Sequence, residues 1–181
     1  MSSFEEKQLE REEIYDGAVL HVVKDKILLP DGNTSYREFC LHKGAVAVIP
    51  ITENNEAIMV RQFRYAHHRE FLEIPAGKLD YIGEIPLEAA KRELREETGA
   101  SASKYTYLGV LDTTPALIDE KIHMYMAEGL TYGECDPDDD EFLSVHRIPL
   151  KDLLNMVMSG EIRDGKTQIA VLKAAKILNI T

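Results

Sequence analysis

The segment IPLEAAKRELREETGA, residues 85–100, constrains the chain more than any other stretch. Pro86 suits the first turn of a helix, where its missing N–H would have no partner anyway. Gly99 suits the left-handed position just past a helix end. Leu87, Ala90 and Leu94 recur at i, i+3 and i+7 and form one apolar stripe. Runs with a different period surround this helix. YDGAVLHVVKDKILLPDGNTSYREFCLHKGAVAVIPI, from Tyr15, reads as strands, with Pro30, Asp31, Gly32 and Asn33 marking a turn. AVAVIPIT and AIMVRQFRY flank Glu53-Asn54-Asn55-Glu56, which reads as a hairpin loop. FLEIP, YTYLGVLDT, KIHMYMAEGL and EFLSVHRIP are further strands. Two more helices are expected near the C-terminus. One starts about Pro149, puts Leu150, Leu153, Leu154 and Val157 on one face and stops near Gly160. The other runs from about Thr167 to Leu178, with Ile169, Leu172, Ala175 and Leu178 as its apolar residues. Strands and helices in this order make an α/β protein.

The helix carries a conflict. Glu93, Glu96 and Glu97 crowd its last turns, where the helix dipole is negative and favours cations. Glu93 and Glu97 are four apart and share a face, and like charges so spaced cost about 0.2–0.5 kcal/mol. The dipole adds about 0.3–1 kcal/mol for each exposed charge. Two arrangements relieve this. In one the face is an exposed set of ion pairs, with Arg92 on Glu96 and Arg95 turned outward. In the other a divalent cation sits among the carboxylates. An all-oxygen donor set with no histidine or thiolate nearby suits Mg²⁺ or Mn²⁺ rather than Zn²⁺. Mg²⁺ keeps several waters and shares its remaining positions with substrate phosphates.

Net charge narrows the partners. At −11 the chain of 181 residues is ill suited to nonspecific nucleic-acid binding, which rests on cationic contacts to phosphate. A phosphate-bearing small molecule is still compatible if a metal and a few arginines supply local positive charge. The length suggests one domain, or one with an arm, and suffices for a core without disulfides. The two cysteines, Cys40 and Cys135, are far apart and in no metal-like spacing. MSSFEEKQLEREE has no apolar signal region, and no run is long enough to span a membrane. A soluble cytoplasmic protein without a membrane partner is expected. ECDPDDDE, residues 134–141, read alone, is a solvated acidic loop; it lacks the glycine and final glutamate of an EF-hand. His67-His68 reads as part of a solvated loop, since adjacent side chains diverge.

At the carboxylate helix the sequence resembles the Nudix hydrolase family. Its box is Gly, five residues, Glu, seven residues, Arg-Glu, an aliphatic, any residue, Glu-Glu, any residue, Gly, an aliphatic. Glu84, seven residues, then Arg92-Glu93-Leu94-Arg95-Glu96-Glu97-Thr98-Gly99 match in type and spacing, with Ala100 as a small stand-in for the last aliphatic. Gly77 and Glu84 are separated by six residues, KLDYIG, instead of five, which reads as a one-residue insertion in the loop before the helix. FLEIPAGKLD is similar to the lead-in of the ADP-ribose pyrophosphatase branch. Pro115 in TTPALIDEKIH fits that branch's proline after the box, although Thr114-Pro115-Ala116 stands where Ser-Pro-Gly is frequent. The acidic loop with FLSVHRIP, and DGKTQIAVLKAAKIL, also resemble segments of the branch.

The resemblance implies a Nudix α/β/α sandwich with a mixed sheet, residues 44–181, preceded by an N-terminal β extension, residues 1–43, that dimerises. It implies Mg²⁺-dependent hydrolysis of ADP-ribose, or of another nucleoside diphosphate sugar, with a catalytically silent nucleotide sensor as the alternative from a different class. Carried over, Glu93 and Glu97 lead the metal ligands, with Glu96 direct or through water and the backbone carbonyl of Ala76 contributing. Arg92 pairs with Glu84 and holds the loop on the helix. Glu141 is the candidate base for the attacking water, with Asp139 and Asp140 as neighbours that would serve instead. Arg64 would meet phosphate, Arg37 the adenine or its ribose from either subunit, and Glu120 a ribose.

Overall fold

The computed structural model describes residues 3–135 and 142–181. The chain falls into two compact units, Met1–Lys43 with Asp112–Lys121, and Gly44–Leu111 with Ile122–Thr181.

The first unit is a three-stranded sheet of β1 (Lys7–Asp16), β2 (His21–Leu28) and β3 (Thr34–Leu41), in the order β1-β2-β3. Both pairings are antiparallel. The Pro30–Asn33 turn joins β2 to β3, with Leu29 N–H on Asn33 at 2.8 Å and Asn33 N–H on the Asp31 side chain at 3.0 Å. Val23, Asp25 and Ile27 are the buried positions of β2, one face of a two-residue period. The buried carboxylate of Asp25 takes both Nε and Nη2 of Arg11 at 2.7 Å. Strand β1 falls within the expected N-terminal β extension but lies almost wholly before Tyr15, where the strand-like runs begin. KQLEREEIYD is exposed along its whole length, so it buries no face that would impose an apolar alternation. The stretch Asp112–Lys121 joins this unit by backbone bonds, Cys40 N–H to Leu117 at 2.8 Å and Asp119 N–H to Cys40 at 3.2 Å.

The second unit holds β4 (Ala45–Pro50), β5 (Glu56–Arg64), β6 (Arg69–Glu73), β7 (Ala76–Lys78), α1 (Pro86–Thr98), β8 (Ala100–Asp112), β9 (Lys121–Tyr132), β10 (Leu143–Pro149), α2 (Leu150–Met158) and α3 (Gly165–Ile177). Its sheets run β7-β4-β9-β8 and β10-β5-β6. The first is mixed, since β4 is parallel to β9 and antiparallel to β7.

Strand β4 shows why the unit is layered. Ala45, Ala47 and Ile49 enter one core with Leu150, Leu153, Ala170, Val171 and Ala174 of α2 and α3. Val46 and Val48 enter another with Ala89, Ala90 and Leu94 of α1. Strand β9 divides the same way, Met124 and Met126 to the first core, Tyr125 and Ala127 to the second. A sheet apolar on both faces must be covered on both. The result is the expected sandwich, α1 on one side and α2 with α3 on the other.

Two local expectations change. The loop 53–56 closes tightly, with Thr52 N–H on Glu56 at 2.9 Å and one bridge, Ile51–Ala57. Yet β4 and β5 belong to different sheets. Both edges of β4 are already taken, by β7 and β9, so β5 cannot pair along it. Helix α3 buries Thr167, Ala170, Val171, Ala174 and Ala175, and Leu172 is 42% exposed. The apolar residues read at Ile169, Leu172, Ala175 and Leu178 step by three residues, and each step turns about 60° away from the last. No single face can hold all four.

Candidate active site

Helix α1 is bounded as its sequence requires. Pro86 opens it, and Gly99 closes it at φ 67° with its N–H on Arg95 at 2.8 Å. The αL cap lets β8 begin at once, at Ala100. Loop 78–83, one residue longer than the family box, ends in a turn with Glu84 N–H on Tyr81 at 3.2 Å. The Asp80 N–H returns to the Glu84 carboxylate at 2.7 Å. The extra residue is thus absorbed before Glu84, which remains against the helix.

The three helical carboxylates have separate partners. Glu97 is 2% exposed and accepts from the Ala76 N–H at 3.2 Å. Glu93 lies on the backbone of Gly77, where a Cβ would stand 2.1 Å from its carboxyl carbon and 2.2 Å from each oxygen. Glu96 is the most open of the three, its side chain 27% exposed. Arg92 lies between them. Its Nη1 donates to Glu93 at 2.7 Å and to Glu96 at 3.2 Å, and its Nη2 to the Lys78 carbonyl at 3.3 Å. Asp80 at 3.4 Å and Glu84 at 3.7 Å complete its ion pairs. Burial pulls the Arg92 guanidinium toward neutrality, but the charges of Glu93 and Asp80 outweigh it and hold its pKa above the usual value. The exposed ion-pair face considered from sequence describes Glu96, which also meets Arg95 at 3.5 Å. It does not describe Glu93 or Glu97, which are turned inward onto β7.

Among the described residues, no three histidine, cysteine or carboxylate side chains converge as a metal cage. The donor set nonetheless fits a hard divalent cation. It is all oxygen, and it lies against a glycine whose missing side chain leaves room for a carboxylate.

The other described sequence candidates each have partners of their own. Arg64, at the end of β5, donates from Nε and Nη2 to Glu73 at 2.9 and 2.7 Å. Burial pushes the Glu73 carboxyl up, but hydrogen bonds and charge from Arg64 and Lys166 bring it from 4.5 down to about 2. Lys166 reaches Glu73 at 2.5 Å and Asp164 at 3.1 Å. Sequence reasoning missed Glu73, Asp164 and Lys166. Their signals were a carboxylate inside the apolar run FLEIP and a lysine in the first turn of a helix, the end that disfavours cations. In the first unit, Arg37 pairs with Glu6, and Glu120 accepts from Thr113 at 2.9 Å and lies 3.7 Å from His42. His67 and His68 are exposed; His68 packs edgewise on Tyr65 and His67 lies tilted against Phe71. Glu141, Asp139 and Asp140 lie outside the described residues.

A NUDIX domain model matches residues 41–168. The chain is 43% identical over 173 residues to an ADP-ribose pyrophosphatase of Bacillus subtilis, covering 94% of this chain and 93% of that one. It is 43% identical over 170 residues to a methanol dehydrogenase activator of Bacillus methanolicus, covering 93% and 91%. A solved structure described as an ADP compounds hydrolase superposes with a TM-score of 0.86 at 23% identity, over 99% of this chain and 97% of that one. That likeness carries the fold. A match across more than half of the chain, centred on a helix whose carboxylates are disposed in this way, makes this chain a member of the Nudix hydrolase family.

Proposed function

We propose that this chain hydrolyses the pyrophosphate bond of ADP-ribose and related ADP-sugars, giving AMP and ribose 5-phosphate, with Mg²⁺ as its metal and Mn²⁺ as a substitute. The observation that carries the reading is the disposition of Glu93 on Gly77 and Glu97 on Ala76, in a chain 43% identical to an ADP-ribose pyrophosphatase. Glu93, Glu96, Glu97 and the Ala76 carbonyl would hold the cation. When bound, it acidifies a water and neutralises charge on a departing phosphate. The residues of the chain do the rest. Arg92 and Glu84 fasten the lead-in loop to α1 and keep Glu93 and Glu96 from repelling each other. Arg64 keeps its Nη1 edge for a phosphate oxygen, and Glu141 takes the proton of the attacking water. Arg37 and Glu120 serve the adenosine and ribose ends. The N-terminal extension, residues 1–43, pairs two copies of the chain, and the protein works in the cytoplasm without nucleic acid or membrane.

A panel of ADP-ribose, ADP-glucose, GDP-mannose and diadenosine polyphosphates, each with Mg²⁺, tests the substrate. ADP-ribose should have the highest kcat/KM. A tenfold lead for GDP-mannose, about 1.4 kcal/mol of transition-state preference, would move the assignment to another nucleoside diphosphate sugar. No turnover of any member would favour a nucleotide sensor. Glu141→Gln should lower kcat with KM within a few fold; the large loss appearing at Asp139 or Asp140 instead would move the base. The equal identity to a methanol dehydrogenase activator supports a second reading, in which the chain acts upon a dehydrogenase. Adding it to purified methanol dehydrogenase and following alcohol oxidation tests that.

A further inference from the structure

Lys166 stands where a lysine is locally disfavoured. It is the second residue of α3, at the positive end of the helix dipole, and its side chain is only 11% exposed. Two carboxylates compensate it. Asp164 caps the helix, accepting from the Thr167 N–H at 2.9 Å, and turns its other oxygen to Lys166 at 3.1 Å. Glu73 accepts Lys166 on the same oxygen that accepts Arg64 Nη2. These groups line a cleft of about 370 Å³ together with Tyr65 and His67.

The sharing matters for Arg64. Glu73 is 2% exposed and can approach Arg64 only along one edge, so Nε and Nη2 are engaged and the guanidinium plane is set. Among the described residues Nη1 has no hydrogen-bond partner, and the side chain is 42% exposed. Were Glu73 to answer Arg64 alone, its one negative charge would cancel the arginine. With Lys166 on the same carboxylate, Arg64, Lys166, Glu73 and Asp164 balance; without it, Glu73 and Asp164 would leave the cluster one charge negative beside the arginine.

We propose that Lys166 is a positioning residue for the hydrolytic reaction: by sharing Glu73 and offsetting Asp164 it keeps Arg64 oriented and keeps the cluster from turning net negative toward the diphosphate of the substrate. The inference rests on the reading of Arg64 as the phosphate contact. The role is one of ground-state and transition-state binding alike, so it belongs in KM rather than kcat.

The test is a double-mutant cycle with ADP-ribose and Mg²⁺, using Lys166→Met, Arg64→Ala and both together, each checked for folding by thermal melting. Lys166→Met should raise KM about tenfold with kcat within about threefold, the scale of one charge-assisted contact. Lys166→Arg should restore KM. In the Arg64→Ala background, Lys166→Met should have no further effect on KM. If Lys166→Met does not fold, Lys166→Gln is read in the same way. Additive effects, or an unchanged KM in folded Lys166→Met or Lys166→Gln, overturn the proposal while Arg64 keeps its role. An unchanged KM in Arg64→Ala overturns the phosphate reading of Arg64, and the proposal with it.

Discussion

Single side chains decide whether this site can act. Glu97 is buried and bonded to the backbone of β7, so its carboxylate has one orientation. Glu97→Gln preserves shape and an acceptor for the Ala76 N–H but removes the charge. Turnover should fall by at least about a hundredfold, the scale for losing electrostatic stabilisation of a transferring group. The melting temperature should hold or rise slightly as repulsion from Glu93 is relieved, and near-normal turnover would remove the metal reading. Gly77 tests the same site from the opposite side. Its Cβ would stand within 2.2 Å of the Glu93 carboxylate, so Gly77→Ala must displace Glu93. Turnover should drop as expected for Glu93→Gln, with little loss of stability, because the clash falls on the far end of a flexible side chain that can swing away. A Gly77→Ala protein with full activity would show that Glu93 is not needed where it lies.

At the scale of elements, Glu73 ties three of them together, joining β6 to β5 through Arg64 and to α3 through Lys166. Its pKa is depressed from 4.5 to about 2, so the sign is that of a paired carboxylate. The stabilisation is fully present above pH 4.5 and is lost as pH falls from there toward 2. A depression of that size corresponds to about 3 kcal/mol. Urea unfolding at pH 6, 4 and 3 should show this loss in the native sequence. Glu73→Gln should be less stable at pH 6 and should lack that part of the acid decline. Equal acid sensitivity in the two proteins would mean that other carboxylates carry it. The helices differ in how they reach their sheets. Helix α1 uses a leucine, Leu94, and two alanines, whereas α3 presents mostly alanines and valine, which leaves Leu172 at the surface.

At the scale of the whole molecule, the proposed dimer rests on the first unit. Leu9, Ile14, Tyr15 and Tyr36 on β1 and β3 are each about half exposed or more, and a three-stranded sheet of this size gains stability when such a surface is covered. Strand β1 is an edge, and charged residues along it discourage indiscriminate pairing. Light scattering at micromolar concentration should therefore give the mass of a dimer, and removal of residues 1–43 should abolish it. A monomer at that concentration would also end any contact made by Arg37 across subunits.

Much of this was legible in the amino-acid order. The bounds of α1 follow from Pro86 and Gly99, because backbone restrictions act within a few residues. The sandwich follows from continuous apolar runs such as AVAVIP, which need cover on both faces. The crowding of Glu93, Glu96 and Glu97 was visible as a violation of local rules. What tertiary structure alone decided were relations between distant segments. Only the fold brings Gly77 beneath Glu93, or joins Arg64, Glu73 and Lys166 across 102 positions of chain into one cluster. It also separates β4 from β5, since a strand has two edges and its occupants are settled by the whole sheet. A local pattern records the period of burial; which groups meet is set by packing, and packing has no sequence period.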